Sequence, residues 1–385
     1  SYKIFGATAF AENNFTVPTM GGFVDFELNK DGNNASLNYC NVMESFTPDK
    51  LPILSTLASE YVLMDRFFAS LPGPTWPNRM FFMAGTSSGL TETFPWYHDE
   101  PGLLFPTKTI FDQVTEAGGE WKGYYNDTPW ELLVGALATH PEHMHSLGQF
   151  FDDCERGTLP DFAYINPLSG INISLGVGSN DEHPDHDMAA GERYIKDIYE
   201  AIRASPQWNE TLFVLTYDEH GGFYDHVLPP MNVPAPGDGE ASYPDKDFMF
   251  DRLGIRIPTI LVSPWLPKGV IQNAPPAAQK PAANSEYDLT SIIASARKIL
   301  PVLNRTGPLT KRDAWSATFE HLLTTLPEMR TDCPMHLPAP PNVTLDLDVE
   351  AGQPINELQH HIMTVHAGLN GHEFPHHIRE QRHVG

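Results

Sequence analysis

The apolar positions of this chain recur in two alternating patterns. In "LPILSTLASEY" (51–61), Leu54, Leu57, Ala58 and Tyr61 fall at helical spacing and predict a helix. The run that follows, "YVLMDRFFAS" (61–70), predicts a buried strand. The alternation returns downstream. "TIFDQVTEAGG" (109–119) reads as a helix ending at Gly118, "WKGYYN" (121–126) as a strand, and "DFAYINP" (161–167) as a strand closed by Asn and Pro. Asp187 stands where a helix N-cap belongs, with Tyr194, Ile195, Ile198, Tyr199 and Ile202 on one stripe behind it and Pro206 as the stop. "TLFVLTYD" (211–218) and "RIPTILVSPW" (256–265) are apolar without interruption, the pattern of strands buried on both faces in a parallel sheet. Residues 287–300 predict a further helix. Strands alternating with helices define an α/β fold, a mostly parallel central sheet with helices on both faces.

No internal repeat is visible. The Pro-rich stretches 229–246 and 267–284 read as long surface loops bordering a site. From residue 331 the chain becomes extended and Pro-rich, then offers the helix "INELQHHIMTVHAGLNG". The expected organisation is one main domain over 1–330 and a C-terminal appendage over 331–385.

Composition narrows the function classes. The chain has 385 residues and carries 49 acidic against 24 basic ones, a net charge of −25, which argues against nucleic-acid binding. An anionic substrate would need local positive charge from a metal ion or from protonated His. No run of about 18 apolar residues predicts a membrane-crossing helix. Sequons at Asn14, Asn34, Asn126, Asn172, Asn209, Asn304 and Asn342 exceed chance and predict a glycoprotein that is secreted or lysosomal/vacuolar. Cys40, Cys154 and Cys333 allow one disulfide with one thiol left over, or a bridge outside this sequence, and no CxxC zinc site. The first residue is Ser1 and no signal-peptide pattern follows it, so the chain reads as processed or partial.

Candidate chemistry gathers in three clusters. In "TYDEHGGFYDHV" (216–227), Asp218 and Glu219 follow an apolar strand at its carboxyl end, where open α/β sheets bind ligands. Gly221 and Gly222 permit a sharp turn there. The two carboxylates suit a hard divalent cation, and His220 or His226 offers a nitrogen ligand or a proton. The alternative is a capped turn with solvated charges. In "SNDEHPDHD" (179–187), His183 and His186 sit among four acids at the head of the helix capped by Asp187; the plain alternative is a solvated loop. In "LPGPTWPNRMFFMAGTSSG" (71–89), Thr75 stands at the expected start of a helix over 77–84. Its hydroxyl is either an N-cap or, beside a metal ion, a nucleophile toward phosphorus. Asn78 and Arg79 are candidate donors to phosphate oxygens. A G-x-S-x-G elbow is absent, which argues against a serine hydrolase.

The motifs "PTWPNR", "NDEHPDHD", "RYIKDIYEAIRASPQW", "TYDEHGGFYDHV", "FDRLGIRIPTILVSPW" and "TKRDAWSATFEHLL" resemble, in this order, the phosphoesterase family of non-specific phospholipases C and acid phosphatases, and especially its plant-type phospholipases C. The resemblance spans residues 15–330. It implies an alkaline-phosphatase-like three-layer core and in-line attack on a phosphate ester through a covalent phospho-enzyme. It also implies Thr75 as nucleophile, Asn78 and Arg79 beside it, Asp218 and Glu219 on a divalent metal of unassigned identity, and His183 and His186 on the phosphate or the leaving oxygen. His220 joins the phosphate-binding set. The expected substrates are phospholipids, with transient contact to a membrane surface, or alternatively small phosphomonoesters.

Two departures from the family pattern stand out. An "ENRSFDH"-type motif, which supplies Glu and Asn to the metal, is missing; "AENN" (11–14) lacks its context and reads as a loop. Those ligands are expected on a further segment or a second chain. In "SEYDLTSI" (285–292), Asp288 and Leu289 replace the Glu-His that family members often carry. Two rival classes are an inactive secreted glycoprotein that keeps the fold, and a sulfatase-type hydrolase, disfavoured by the shifted Pro and Arg after Thr75. The apolar stretch 89–106, with Phe94, Trp96, Tyr97, Leu103, Leu104 and Phe105, is either a lip for lipid or ordinary packing.

Overall fold

The computed structural model describes residues 3–6, 18–30, 39–93, 107–126, 137, 139–169, 178–184, 186–243 and 247–343. Helix α1 (Phe23–Lys30) is followed by α2 (Pro52–Glu60), β1 (Val62–Met64), β2 (Phe67–Phe68) and α3 (Thr75–Ala84). Next come α4 (Ile110–Glu116), β3 (Trp121–Tyr125), β4 (Met144–Ser146), α5 (Leu147–Arg156), β5 (Phe162–Asn166) and α6 (Met188–Ala204). The chain continues through β6 (Phe213–Thr216), β7 (Thr259–Val262), β8 (Val270–Gln272), β9 (Tyr287–Asp288), α7 (Thr290–Ile299) and α8 (Lys311–Trp315).

The α/β class and the helix–sheet–helix layering are present. In β7 the side chains divide between two cores, as successive residues of a strand must. Ile260 and Val262 join Ile195, Ile198, Tyr199 and Ile202 of α6 together with Ile53 and Leu57 of α2. Leu261 points the other way, to Val62, Met64, Ile292 of α7 and Phe319. A third cluster packs Met80 and Met83 of α3 on Phe111 and Val114 of α4, Trp121 and Ile293.

The sheets are mixed. Strands β4, β3 and β5 form a parallel set, with Tyr125 opposite Asn166 and Trp121 opposite Phe162. In the order β6-β7-β1-β8, only β1 and β8 run parallel, while β7 is antiparallel to both β6 and β1. The two long apolar runs, expected as parallel strands, therefore pair antiparallel, Phe213 facing Val262. A continuous apolar run reports two buried faces and carries no information about direction. The strand expected over 61–70 is split at Asp65 and Arg66: Arg66 leaves the ladder to reach Glu286, and Arg256 takes the Asp65 carbonyl.

Two polar anchors fix α6. Its buried Glu192 accepts from the N–H groups of Ile53 (2.6 Å) and Leu54 (2.9 Å), satisfying the exposed donors at the start of α2. At its other end, Tyr199 donates to the Pro334 carbonyl and Arg203 to that of Cys333. Cys333 and Leu337 are buried in the α6 core, so the compositional change at 331 does not mark the edge of the packed body. The helix expected over 355–371 lies outside the described residues. Cys154 and Cys333 are buried and Cys40 is exposed, and the disulfide that the count allows does not join any two of them.

Candidate active site

Helix α3 begins at Thr75. Pro74 is its N-cap and makes no side-chain cap, so the Thr75 hydroxyl is not spent on closing the helix. Thr75 and Arg79 are four residues apart and share one helix face. Arg79 donates through Nε to Asp218 Oδ2 at 2.9 Å and through Nη1 to Asn166 Oδ1 at 2.8 Å. One guanidinium thus gathers the start of α3 and the carboxyl ends of β5 and β6. Its fork holds two acceptors at fixed angles, which Lys cannot copy.

Asn78, expected to meet phosphate, is instead committed to its own loop. Its Oδ1 accepts from the N–H of Ser70 (2.9 Å) and of Leu71 (3.2 Å), and its Nδ2 donates to the carbonyls of Leu71, Gly73 and Pro74. Fully buried, it shapes the segment that presents Thr75.

Past β6, Glu219 Oε2 accepts from the Gly221 N–H at 2.8 Å and lies 3.2 Å from His220 Nδ1. Burial alone would raise its carboxyl, but His220, the Gly221 amide and nearby His183 outweigh that and hold it below the ordinary range. Gly221 sits at φ +62°, and a Cβ there would meet Pro184 Cγ at 2.9 Å. The strand end therefore needs glycine to lie against the loop that carries His183 and His186. A second tie joins the same two segments: Tyr217 donates to Glu182 Oε2. Glu182 itself is at φ +59° and packs against Gly191 of α6, where a Cβ would stand 2.1 Å from its Cγ.

In that loop, His186 Nδ1 faces Asp181 Oδ1 at 2.5 Å, and His183 Nδ1 donates to the Pro184 carbonyl at 3.0 Å. The two rings are 5.8 Å apart. Asp185, between them, lies outside the described residues. The remaining groups of the 216–227 stretch are elsewhere: Asp225 is held by both Arg256 Nε and Nη2 at 2.7 Å, and His226 is 76% exposed.

The donor set suits a divalent cation. Asp218 and Glu219 are adjacent carboxylates, and Arg79 takes only one oxygen of Asp218. His220 turns Nδ1 toward Glu219 and leaves Nε2 buried without a partner. Nε2 therefore points away from Glu219, and His220 does not share an ion with that carboxylate. The sequence placed Thr75, Arg79, Asp218, Glu219, His183 and His220 in candidate roles, and the fold brings their segments together. It missed Asn166 and Tyr217, because the first looked like a strand terminator and the second like strand core. Asp288 and Leu289 are structural here: Asp288 is buried on Ser70, Thr290 and Ser316, and Leu289 joins the core.

The Arg79 guanidinium, the Asp218–Glu219 pair and the histidine loop meet at the ends of the strands, a candidate site for an anionic ester. The model of the Phosphoesterase family matches residues 8–302, and the chain belongs to that family, as a phosphoric ester hydrolase. Curated relatives include non-specific phospholipase C6 of Arabidopsis thaliana, 39% identical over 383 residues, covering 97% of this chain and 70% of the relative. Non-specific phospholipase C4 of the same plant is 38% identical, covering 92% of this chain and 63% of its own length. Phospholipase C B of Mycobacterium tuberculosis (strain H37Rv) is 28% identical over 254 residues, 58% of this chain and 47% of that one. Among solved structures the chain is similar to a protein in the alkaline phosphatase superfamily from Vibrio parahaemolyticus, at 10% identity and TM-score 0.39, over 65% of this chain and 60% of that chain.

Proposed function

We propose that this protein cleaves glycerophospholipids in the manner of a phospholipase C, through a phosphorylated Thr75. The observation that carries the reading is the Arg79–Asp218 bond, which sets the face of α3 bearing Thr75 against the carboxylate pair. The plant relatives, phospholipases C by name, support the substrate class.

Asp218 and Glu219 would hold a divalent cation, which would supply positive charge beside the phosphate and favour the ionised hydroxyl. The Thr75 hydroxyl gives its proton to solvent, and its oxygen forms a bond to phosphorus as the bond from phosphorus to the diacylglycerol oxygen breaks. The Arg79 guanidinium brings positive charge toward the phosphate oxygens. His183, held by the Pro184 carbonyl at Nδ1, delivers a proton from Nε2 to the departing diacylglycerol oxygen. His186 is oriented by Asp181 beside it. Water then attacks phosphorus in the reverse sense, releasing the phosphorylated headgroup and restoring Thr75. Positioning and charge neutralisation suffice for such a transfer.

The test is Thr75→Ala against the parent on phosphatidylcholine and on p-nitrophenyl phosphate, with and without a chelator. Loss of at least about 10³-fold on phosphatidylcholine is expected, reversed by neither substrate concentration nor added metal. Unchanged turnover on both substrates would remove Thr75 as nucleophile. Turnover of p-nitrophenyl phosphate alone would favour the phosphomonoesterase reading.

We also infer a secreted or vacuolar glycoprotein. The described sequons Asn126, Asn209, Asn304 and Asn342 are all exposed, as glycan acceptors must be. Asn14, Asn34 and Asn172 lie outside the described residues. Deglycosylation that leaves the electrophoretic mobility of the native protein unchanged would overturn this.

A further inference from the structure

The turn that leads into β4 carries chemistry that the hydrolytic site does not use. In "THPEHMHS", Pro141 opens a single 3-10 turn, Pro141–His143, and closes His140, Glu142 and His143 on one side of it. One ligand atom from each lies within 4.8 Å of the others, the one grouping of three His, Cys, Asp or Glu donors with this spacing among the described residues. Glu142 Oε1 is the hub: His140 Nδ1 is 3.1 Å away and His143 Nε2 is 3.9 Å away.

His143 is built to present that nitrogen. Its Nδ1 lies 2.8 Å from the Trp121 carbonyl, which can only accept, so Nδ1 carries the proton. Its Nε2 is thereby turned toward Glu142 Oε1, 3.9 Å away, with room for a cation between the two. Its plane stacks on the Trp121 indole, centroids 4.4 Å apart and 20° from parallel, which fixes the ring direction. A carbonyl on the distal nitrogen is the usual support of a metal-bound histidine.

We propose that His140, Glu142 and His143 form a second cation site, for a borderline divalent transition metal of the Zn²⁺ type, with water completing the shell. Two imidazoles and one carboxylate are a borderline-metal set. Ligand atoms around tetrahedral zinc stand roughly 3.3–3.5 Å apart for bonds of about 2.0–2.1 Å, and the Glu142 oxygen lies 3.1 Å and 3.9 Å from the two imidazole nitrogens. The side chains are 41%, 64% and 31% exposed, which leaves room for ion entry and for a bound water. The site is remote from the hydrolysis: Trp121 starts β3, whereas Asn166 stands opposite Tyr125 at the other end of that strand. Its role is to fasten the entry of β4 to the first residue of β3.

The experiment counts zinc on the full chain by equilibrium dialysis with elemental analysis, and reads melting temperature beside it. The parent is compared with His140→Ala/His143→Ala, with Glu142→Gln, with Asp218→Asn, and with His226→Ala as an exposed-histidine control. The expected result is one fewer Zn²⁺ per chain in the double variant, in both the parent and the Asp218→Asn backgrounds. Glu142→Gln should weaken the same equivalent by at least about 10-fold, hydrolysis should persist, and His226→Ala should change nothing. Equal zinc stoichiometry in parent and double variant, or the same loss in His226→Ala, overturns the proposal. Because the loss is scored in the Asp218→Asn background too, its failure is separable from failure of the hydrolytic reading.

Discussion

Arg79 Nε meets Asp218 Oδ2 at 2.9 Å across 139 positions of sequence, and the same guanidinium holds Asn166 at the end of β5. This one side chain converts three motifs scattered along the chain into a site. Side-chain exposures of 15% for Arg79 and 25% for Asp218 leave the pair partly open to solvent, so its value is geometric more than energetic.

Arg79→Lys should therefore cost rate before stability. A lysine keeps the charge but can hold only one of the two acceptors well, and misplacement by about 1 Å can cost ~10²-fold in kcat. Steady-state kinetics on a soluble phosphodiester, with a thermal melt beside them, check this; a melt lowered without a change in kcat would contradict it.

Arg312 is expected to matter more for folding. It is fully buried and donates to the carbonyls of Ser70, Pro234 and Phe250, with Asp288 3.8 Å away. Burial, larger than the opposing pull of Asp288 and Asp251, brings its guanidinium down to about 10. Arg312→Met removes the charge and leaves Asp288 buried, at a cost of about 3–5 kcal/mol. Urea denaturation reads it, and an unchanged midpoint would refute the role.

Acid stability should depend on Asp153. Burial would raise this carboxyl, but Lys122, Tyr124, Thr158 and Gln149 all bond to it and hold it at about 2, against an ordinary 3.8. A depressed carboxyl contributes stability above its unfolded value and loses it as pH falls through the folded one. The window is pH 4 down to 2, and the contribution is about 2 kcal/mol. Asp153→Asn should lower stability at pH 7 and flatten the acid limb of a stability–pH curve; a parallel curve would exclude the assignment.

Glu182 has the opposite sign. Burial first, then the charges of Glu192 and Asp181, raise it to about 7 from an ordinary 4.5, despite the bond from Tyr217. Its contribution is full below 4.5 and is lost as pH rises through 7. Glu182→Gln should be less sensitive than the parent between pH 5 and 8, by about 2–3 kcal/mol, measured as melting temperature against pH. Equal slopes for the two proteins would count against it.

Much of this was legible in the chain. Helix α6 was readable because its stripe, its Asp187 cap on the Ala189 N–H and its Pro206 stop are all local signals. Helix α5 carries the same kind of signal, although it is not among the elements expected above: Leu147, Phe150, Phe151 and Cys154 in "LGQFFDDCER" recur at helical spacing and pack on one core. For the site, types and order were legible, while partners were not. Asn78 and Arg79 are neighbours with equal claim to phosphate on paper, yet one closes on the backbone of 70–74 and the other reaches Asp218. Of the stretch 89–106, read as either a lip for lipid or ordinary packing, residues 94–106 lie outside the described residues.

By itself the sequence determined the α/β class, the helices with strong stripes and caps, and which residue types stand at the ends of the strands, because periodicity, capping and Gly-Gly turns act over a few residues. The tertiary structure decided strand direction, the commitment of Asn78, Asp225 and Asp288 to scaffolding, and the meeting of Arg79 with Asp218 and Asn166. Those depend on which side chains can reach each other once the two cores have closed on either face of the sheet, and no local pattern carries that distance.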